Sequence, residues 1–384
     1  MNTLKIALSA ILSITTYSAS FADRLPDFSW DTVPRYMHVR KATSFTPQEV
    51  EYLASFPLIT FEKTTGAKEF GGTEVGTWKA AKAVKAINPR TKVLYYRNIL
   101  VHYSAYAADA QLASIPDAFL SDQKGNTKLV RGKVPAYDLS NPAVQDWWLT
   151  HAKQACGSEY IDGIFVDGNI KALEHGYLKR QVGDAKKTAV EQGYHHIMKQ
   201  LRAIAGTESL VVSNIIRARF TDAGLEYMEP FDGSYIEGFE HAVGGMSRKE
   251  YMAKGIAAIQ SAAQSGKIIA FTIGQGSYAD TDMDMEASQD STKEFASPNN
   301  RFTYALALFL ICAEKHSYFM FSDGYGVDNG RSKYWMKDIP EYQYPLGAPT
   351  GEATREGYVY QREFQHASVT VDIEQETSEI VWKQ

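Results

Sequence analysis

The chain has 384 residues and a formal net charge of -5, with 40 Lys and Arg against 45 Asp and Glu. No block of Lys and Arg runs along it, so the charge pattern argues against nucleic acid as a partner. Cys156 and Cys312 are its two cysteines, too few for a metal site, and their helix-like flanks suit buried thiols as well as a bridge.

Residues 1–22 read first. Lys5 precedes an apolar run from Ile6 to Ile14, and small residues, Ser20 and Ala22, stand just before Asp23. That layout predicts a signal peptide cut after Ala22 and an exported protein, periplasmic or extracellular. The run is too short for a membrane span, which takes about 20 apolar residues.

From there, strand-like runs alternate with amphipathic ones. The former are Tyr36–Val39, Leu58–Phe61, Lys92–Tyr96, Ile164–Val166, Leu210–Val212, Ser234–Ile236, Lys267–Phe271 and Tyr318–Phe321. All are rich in β-branched and aromatic residues. Helix starts are marked by Thr46-Pro47-Gln48-Glu49 and Asn141-Pro142, and helical spacing recurs over Lys249–Ala263 and Arg301–Ala313. Eight β-then-α units predict an α/β fold, a (β/α)₈ TIM barrel over residues 23–345. An open doubly wound sheet is the alternative, but no glycine-rich phosphate loop follows the first strand. In residues 346–384, Gly357–Tyr360, Ala367–Val371 and Glu379–Trp382 predict a small β-hairpin appendage packed on the barrel.

An internal echo carries the chemistry. Asp162-Gly163-Ile164-Phe165-Val166-Asp167-Gly168 matches Asp232-Gly233-Ser234-Tyr235-Ile236-Glu237-Gly238, and Phe319-Met320-Phe321-Ser322-Asp323-Gly324 is a weaker third copy. Side chains alternate along a strand, so Phe165 shares a face with Asp167 and Tyr235 with Glu237. With the rings in the barrel interior, both carboxylates point into its mouth, where such barrels place their sites. The fourth and sixth strands set them within roughly 10 Å, the regime for two carboxylates flanking a glycosidic bond. One carboxyl donates a proton to the leaving oxygen, while the other attacks the anomeric carbon or activates water. A turn or cap role is the plainer reading of any one Asp-Gly pair, but the matched frames argue against it here.

Other polar residues at strand ends and in the following loops are candidates for binding sugar hydroxyls. They are His38, Arg40, Glu62, Lys63, Arg97, Asn98, His102, Asn169, Asn214, Gln275 and Asp323. Each reads equally well as a buried polar residue satisfied by backbone. Asp138 joins them, with helix capping as its plainer role. The 23 Tyr, 18 Phe and 6 Trp suit a sugar cleft or simply a large core.

Asp280, Asp282, Asp284, Glu286 and Asp290 crowd one loop, but Met285 and Ser291 stand where a calcium loop needs Gly and Glu. A solvated acidic lid is expected there, with no metal or cofactor. His195 and His196 are adjacent on a predicted helix and diverge. No Gly-x-Ser-x-Gly elbow is present.

The Asp162–Gly168 strand resembles the fourth strand of many barrel glycoside hydrolases, whose final Asp is the nucleophile. Asp138-Leu139-Ser140-Asn141-Pro142 with Trp147-Trp148 resembles the run ahead of that strand in α-glycosidase-like enzymes. With Tyr36-Met37-His38 and Tyr344-Pro345-Leu346-Gly347, the mature chain resembles hypothetical glycosyl hydrolase family 15. The more distant likeness to the α-galactosidase and α-glucosidase clan implies retaining hydrolysis, with Asp167 as nucleophile and Glu237 as acid/base. The chain departs from that clan in carrying Glu rather than Asp on the sixth strand.

The expectation is thus an exported glycoside hydrolase of an oligosaccharide or polysaccharide. Two rivals stand beside it. A polysaccharide lyase would draw on His38, Arg40, Lys63 and Arg97. A non-catalytic carbohydrate-binding barrel would bind sugar without turnover.

Overall fold

Eight short apolar runs become eight parallel strands, each joined to the next in chain order. They are β1 (Met37–Val39), β2 (Leu58–Phe61), β3 (Lys92–Asn98), β4 (Gly163–Asp167), β5 (Leu210–Asn214), β6 (Gly233–Ile236), β7 (Ile268–Gly274) and β8 (Ser317–Ser322). The computed structural model describes residues 24–274, 298–322, 324–328 and 335–383. Closure comes from the residues ahead of β1: Tyr36 N–H donates to Phe319 O at 2.9 Å, and Phe319 N–H to Pro34 O at 2.8 Å. Nearly every strand residue is buried, as a parallel sheet covered on both faces requires. The fold is a (β/α)₈-type barrel.

Among the described residues six principal helices wrap it: α1 (Pro47–Leu53), α2 (Thr73–Ile87), α3 (Pro142–Cys156), α4 (Asp184–Ala205), α5 (Arg248–Gln264) and α6 (Pro298–Cys312). Their starts follow local chemistry. Thr46 and Glu49 form a capping box on α1, as Ser247 and Glu250 do on α5. Asn141 caps α3 ahead of Pro142. The expected helix between β5 and β6 is replaced by a 3₁₀ turn, Leu225–Tyr227. The linking segment, residues 215–232, carries Pro230 and Gly224, which break helical continuity.

The tail is larger than the expected hairpin. It is a four-stranded antiparallel sheet, ordered β12-β11-β10-β9, of β9 (Thr354–Glu356), β10 (Val359–Glu363), β11 (Ala367–Asp372) and β12 (Thr377–Trp382). β9 is wholly exposed and polar, so no alternating apolar pattern announced it. The inward side of β11 (Val369, Val371) is buried. Arg362 of β10 donates to Leu310 O at 3.2 Å and pairs with Glu314 at 2.6 Å, which ties the sheet to the end of α6. Cys156 and Cys312 are free thiols, and burial pushes that of Cys312 up to about 12. Among the described residues no helix is long and apolar enough to cross a membrane.

The echo in the sequence has a structural basis at its leading end. Asp162 accepts the N–H of Val93 on β3 at 2.8 Å, and Asp232 accepts that of Val211 on β5 at 2.8 Å. Each thus latches its strand to the previous one. The Gly that follows sits where a Cβ would lie 2.2 Å from Leu210 O (Gly163) or 2.3 Å from Ile268 O (Gly233). No other residue fits so close to the neighbouring strand. Both carboxylate-bearing strands are therefore held by one repeated device, and their far ends reach the mouth in equivalent frames.

Candidate active site

Strand alternation sends one ring layer into the barrel. Phe165 of β4 stacks on Tyr96 of β3 at 5.7 Å and meets Tyr235 of β6 edge-on at 5.4 Å. His38 of β1 packs edge-on against Phe165 at 5.0 Å. One position-pair further toward the mouth, the same faces present Asn98, Asp167 and Glu237. Register places Asn98 directly beside Asp167. Gly168 and Gly238 then turn the chain with φ of 82° and 59°, the left-handed region that glycine enters freely.

Asp167 and Glu237 share a partner. Asn214, the last residue of β5, directs its side-chain Nδ2 to Asp167 Oδ1 at 3.3 Å and to Glu237 Oε2 at 2.6 Å. Two contacts to one nitrogen hold these oxygens within about 6 Å of each other. Asp167 Oδ2 also accepts from the Tyr96 hydroxyl at 2.5 Å and Asn98 Nδ2 at 3.0 Å. Glu237 accepts from Arg217 at 2.9 Å on Oε2 and from the Tyr325 hydroxyl at 3.0 Å on Oε1.

The two carboxyls are driven in opposite directions. Burial opposes ionisation of Asp167, but Lys171, Lys63, the Tyr96 hydroxyl and the Gly168 N–H together hold it below the usual carboxylate range. Burial raises Glu237 above its ordinary value, and the nearby charge of Asp167 adds to this. Arg217, Asn214 and Tyr325 offset only part of the rise. Two carboxyls pushed apart in this way suit an ionised partner and a protonated one at the same pH.

They open onto a cavity of about 290 Å³, close to the lower end of the range ligand pockets take, about 300 Å³. Its lining includes His38, Lys63, Tyr103, Lys171, Arg217 and Tyr325. His38 is neutral here: burial lowers its pKa to about 4. The Tyr36 hydroxyl donates to Thr60 at 2.6 Å and lies 3.1 Å from His38 Nδ1. Among the described residues, no metal-binding cluster of three or more His, Cys, Asp or Glu occurs.

The remaining candidates divide. Glu62 and Lys63 line the cavity and contact one another, and Lys63 lies 5.1 Å from the centre of the Tyr96 ring. Arg40 stands behind them, paired with Glu62 at 2.9 Å. Arg97 points the other way, into the layer between β3 and α3, with its guanidinium 4.7 Å from the Tyr106 ring and 4.8 Å from that of Trp147. His102 contacts the Tyr137 hydroxyl at 3.2 Å, outside the cavity lining. Asp138 accepts from Ser140 N–H at 3.0 Å and Lys186 at 2.9 Å, which fits its local turn role. Asn169 is fully buried and ties Val166 O to the Tyr194 hydroxyl. Gln275, Asp323 and the acidic residues of 280–290 lie outside the described residues.

Four contributors escaped the sequence reading: Tyr96, Lys171, Arg217 and Tyr325. Tyr96 shares the face of Asn98 by simple alternation, so that rule could have found it. The other three sit in loops or a short helical turn, where no period marks them.

The profile described as hypothetical glycosyl hydrolase family 15 matches residues 85–368. No curated protein matches the chain. Among solved structures, the chain is similar to the glycoside hydrolase domain of PelA from Pseudomonas aeruginosa, at 10% identity and TM-score 0.44, covering 71% of this chain and 88% of that one. It is similar to TtGalA, an alpha-galactosidase from Thermus thermophilus, at 13% identity and TM-score 0.48, covering 92% and 68%. A GH36 alpha-galactosidase, AgaA from Geobacillus stearothermophilus, gives 10% identity and TM-score 0.50, covering 91% and 49%. At 10% identity the AgaA likeness speaks to the fold alone. The family match and the barrel define the class: the protein is a glycoside hydrolase, an enzyme that cleaves glycosidic bonds. It belongs to hypothetical glycosyl hydrolase family 15.

Proposed function

We propose that this enzyme hydrolyses an oligosaccharide or polysaccharide by double displacement, with Asp167 as nucleophile and Glu237 as acid/base. The observation that carries the reading is the shared Asn214 amide, which holds one oxygen of each carboxyl, Asp167 Oδ1 and Glu237 Oε2, within about 6 Å. Retaining enzymes keep their carboxyls about 5–5.5 Å apart, whereas inverting ones leave about 6.5–9.5 Å for a water. The opposite pKa displacements support the same division of roles.

Asp167, held ionised by Lys171, Lys63 and Tyr96, attacks the anomeric carbon as Glu237 protonates the departing oxygen. Glu237, now a carboxylate, takes a proton from the water that releases the sugar from Asp167. Tyr103 and Lys63 line the same space, and such groups suit hydrogen bonds to sugar hydroxyls. Of the four residues a lyase would draw on, His38 and Lys63 line the cavity, whereas Arg97 faces out of the barrel and Arg40 is paired with Glu62.

The test is the configuration of the first product. Proton NMR of a cleaved glycoside should show the starting anomer first. The opposite anomer would rule out double displacement and turn Asp167 into a general base. We propose further that residues 1–22 direct export, so that the mature protein recovered outside the cytoplasm begins at Asp23. A mature N-terminus at Met1 would contradict this.

A further inference from the structure

The hydrogen bonds around Glu237 are directional. Oε2 takes Asn214 Nδ2 at 2.6 Å and Arg217 Nη2 at 2.9 Å. An amide NH₂ and a guanidinium can only donate. A neutral Glu237 therefore carries its hydrogen on Oε1. That oxygen meets the Tyr325 hydroxyl at 3.0 Å, and Tyr325 in turn meets the Tyr235 hydroxyl at 2.7 Å, in a contact either oxygen can donate. A phenol can accept or donate, unlike both described partners of Oε2.

We propose that Tyr325, backed by Tyr235, is a positioning residue that keeps the transferable hydrogen of Glu237 on Oε1 and reverses its own hydrogen bond when that proton leaves. The inference rests on the acid/base reading of Glu237. In the first half-reaction the Oε1–H bond breaks and the proton passes to the glycosidic oxygen. The electron pair of the broken C–O bond stays on that oxygen, and an Asp167 oxygen bonds to the anomeric carbon. The Tyr325 hydrogen then turns onto the new carboxylate, and Tyr235 donates behind it. In the second half-reaction water oxygen bonds to the anomeric carbon, its proton goes to Oε1, and the ester pair returns to Asp167. Tyr325 then accepts again. The glycosidic oxygen is thereby placed on the Tyr325 side of Glu237, away from Arg217.

Among the described residues, Glu237 is faced by Arg217 from the β5–β6 connection, Asp167 from β4, and the two tyrosines from β6 and the segment after β8. His38 and His241 line the same cavity. Arg217 and Asp167 remain in a Tyr325→Phe enzyme, so the hydroxyl alone is removed. A bond to a carboxylate is stronger than one between neutral groups, and the Tyr235 donor strengthens it further. Loss of Tyr325 therefore disfavours the ionised form of Glu237 more than the neutral form.

The experiment is kcat and kcat/KM against pH on the unactivated methyl α- or β-glycoside that the full enzyme cleaves fastest. Tyr325→Phe should move the alkaline limb of kcat/KM up by about one pH unit. Tyr235→Phe should move it in the same direction by less. Glu237→Gln is measured alongside. If it keeps full activity and its alkaline limb, the acid/base reading falls and this inference with it. If Glu237→Gln is inactive while Tyr325→Phe lowers activity evenly at all pH with the limb in place, only the tyrosine relay is overturned. Should Tyr325→Phe not fold, an unmoved limb in Tyr235→Phe overturns it equally.

Discussion

The two faces of β3 do different work with similar residues. The inward side chains, Tyr96 and Asn98, both donate to Asp167. The outward pair, Tyr95 and Arg97, is sealed in the layer against the helices, and Arg97 rests on the rings of Tyr106 and Trp147. One residue along a strand separates a side chain that bonds the buried Asp167 carboxyl from one that packs against the helices. Removing groups from the inner face should therefore cost turnover, and removing them from the outer face should cost stability.

The sharpest contrast is at the carboxyls themselves. Asp167→Asn and Glu237→Gln should each lower kcat/KM on unactivated glycosides by about 10²–10⁴-fold or more, while thermal unfolding stays cooperative. Folded enzyme with undiminished kcat/KM would break the comparison at its centre. Next comes the outer face. Arg97→Ala removes a buried side chain from an aromatic box and should destabilise by roughly 2–4 kcal/mol, as cavity-forming changes do. Its kcat at a temperature where it is folded should match that of the parent. A lost kcat in a stable Arg97→Ala protein would move the site outward.

A smaller effect belongs to Tyr96→Phe. It takes one hydrogen bond from Asp167, so the carboxyl becomes easier to protonate. The acid limb of kcat/KM should move up, with a loss of about 10-fold at neutral pH. An unmoved acid limb would separate Asp167 from the titrating group.

The last prediction concerns stability and pH. The folded pKa of His38, about 4, lies below its ordinary 6.5 because burial penalises the charged ring. The unfolded chain thus binds the extra proton, and stability rises with pH between those values. The stability is fully present above 6.5 and is lost as pH falls toward 4, by about 3 kcal/mol. His38→Phe should flatten that stretch of a denaturant-melt series. A slope identical to the parent's would mean that the ring is already charged, or accessible, in the folded enzyme.

The barrel was legible because parallel strands buried on both faces read as short apolar runs, and eight of them occur. The carboxyls were legible because Asp162-Gly163 and Asp232-Gly233 repeat one latch and so bring two strand ends into one frame. The strand-end candidates Arg97 and Asn98 looked equal in the sequence. Only their parity relative to Asp167 divides them, and parity needs a register that a lone strand does not supply. Arg217 and Tyr325 come from connections whose course depends on contacts made after folding, so nothing local singled them out. The missing helix between β5 and β6 and the exposed strand β9 were hidden for the opposite reason: neither carries an apolar period.

One measurement bears most directly on the central claim. The protein from Asp23 onward and its Asp167→Asn variant would be incubated side by side with neutral and uronic polysaccharides, following new reducing ends and near-ultraviolet absorbance together. New reducing ends without absorbance from the parent, and none from Asp167→Asn, are the predicted result. Equal release by both proteins, or an absorbing unsaturated product, would contradict a hydrolase whose nucleophile is Asp167.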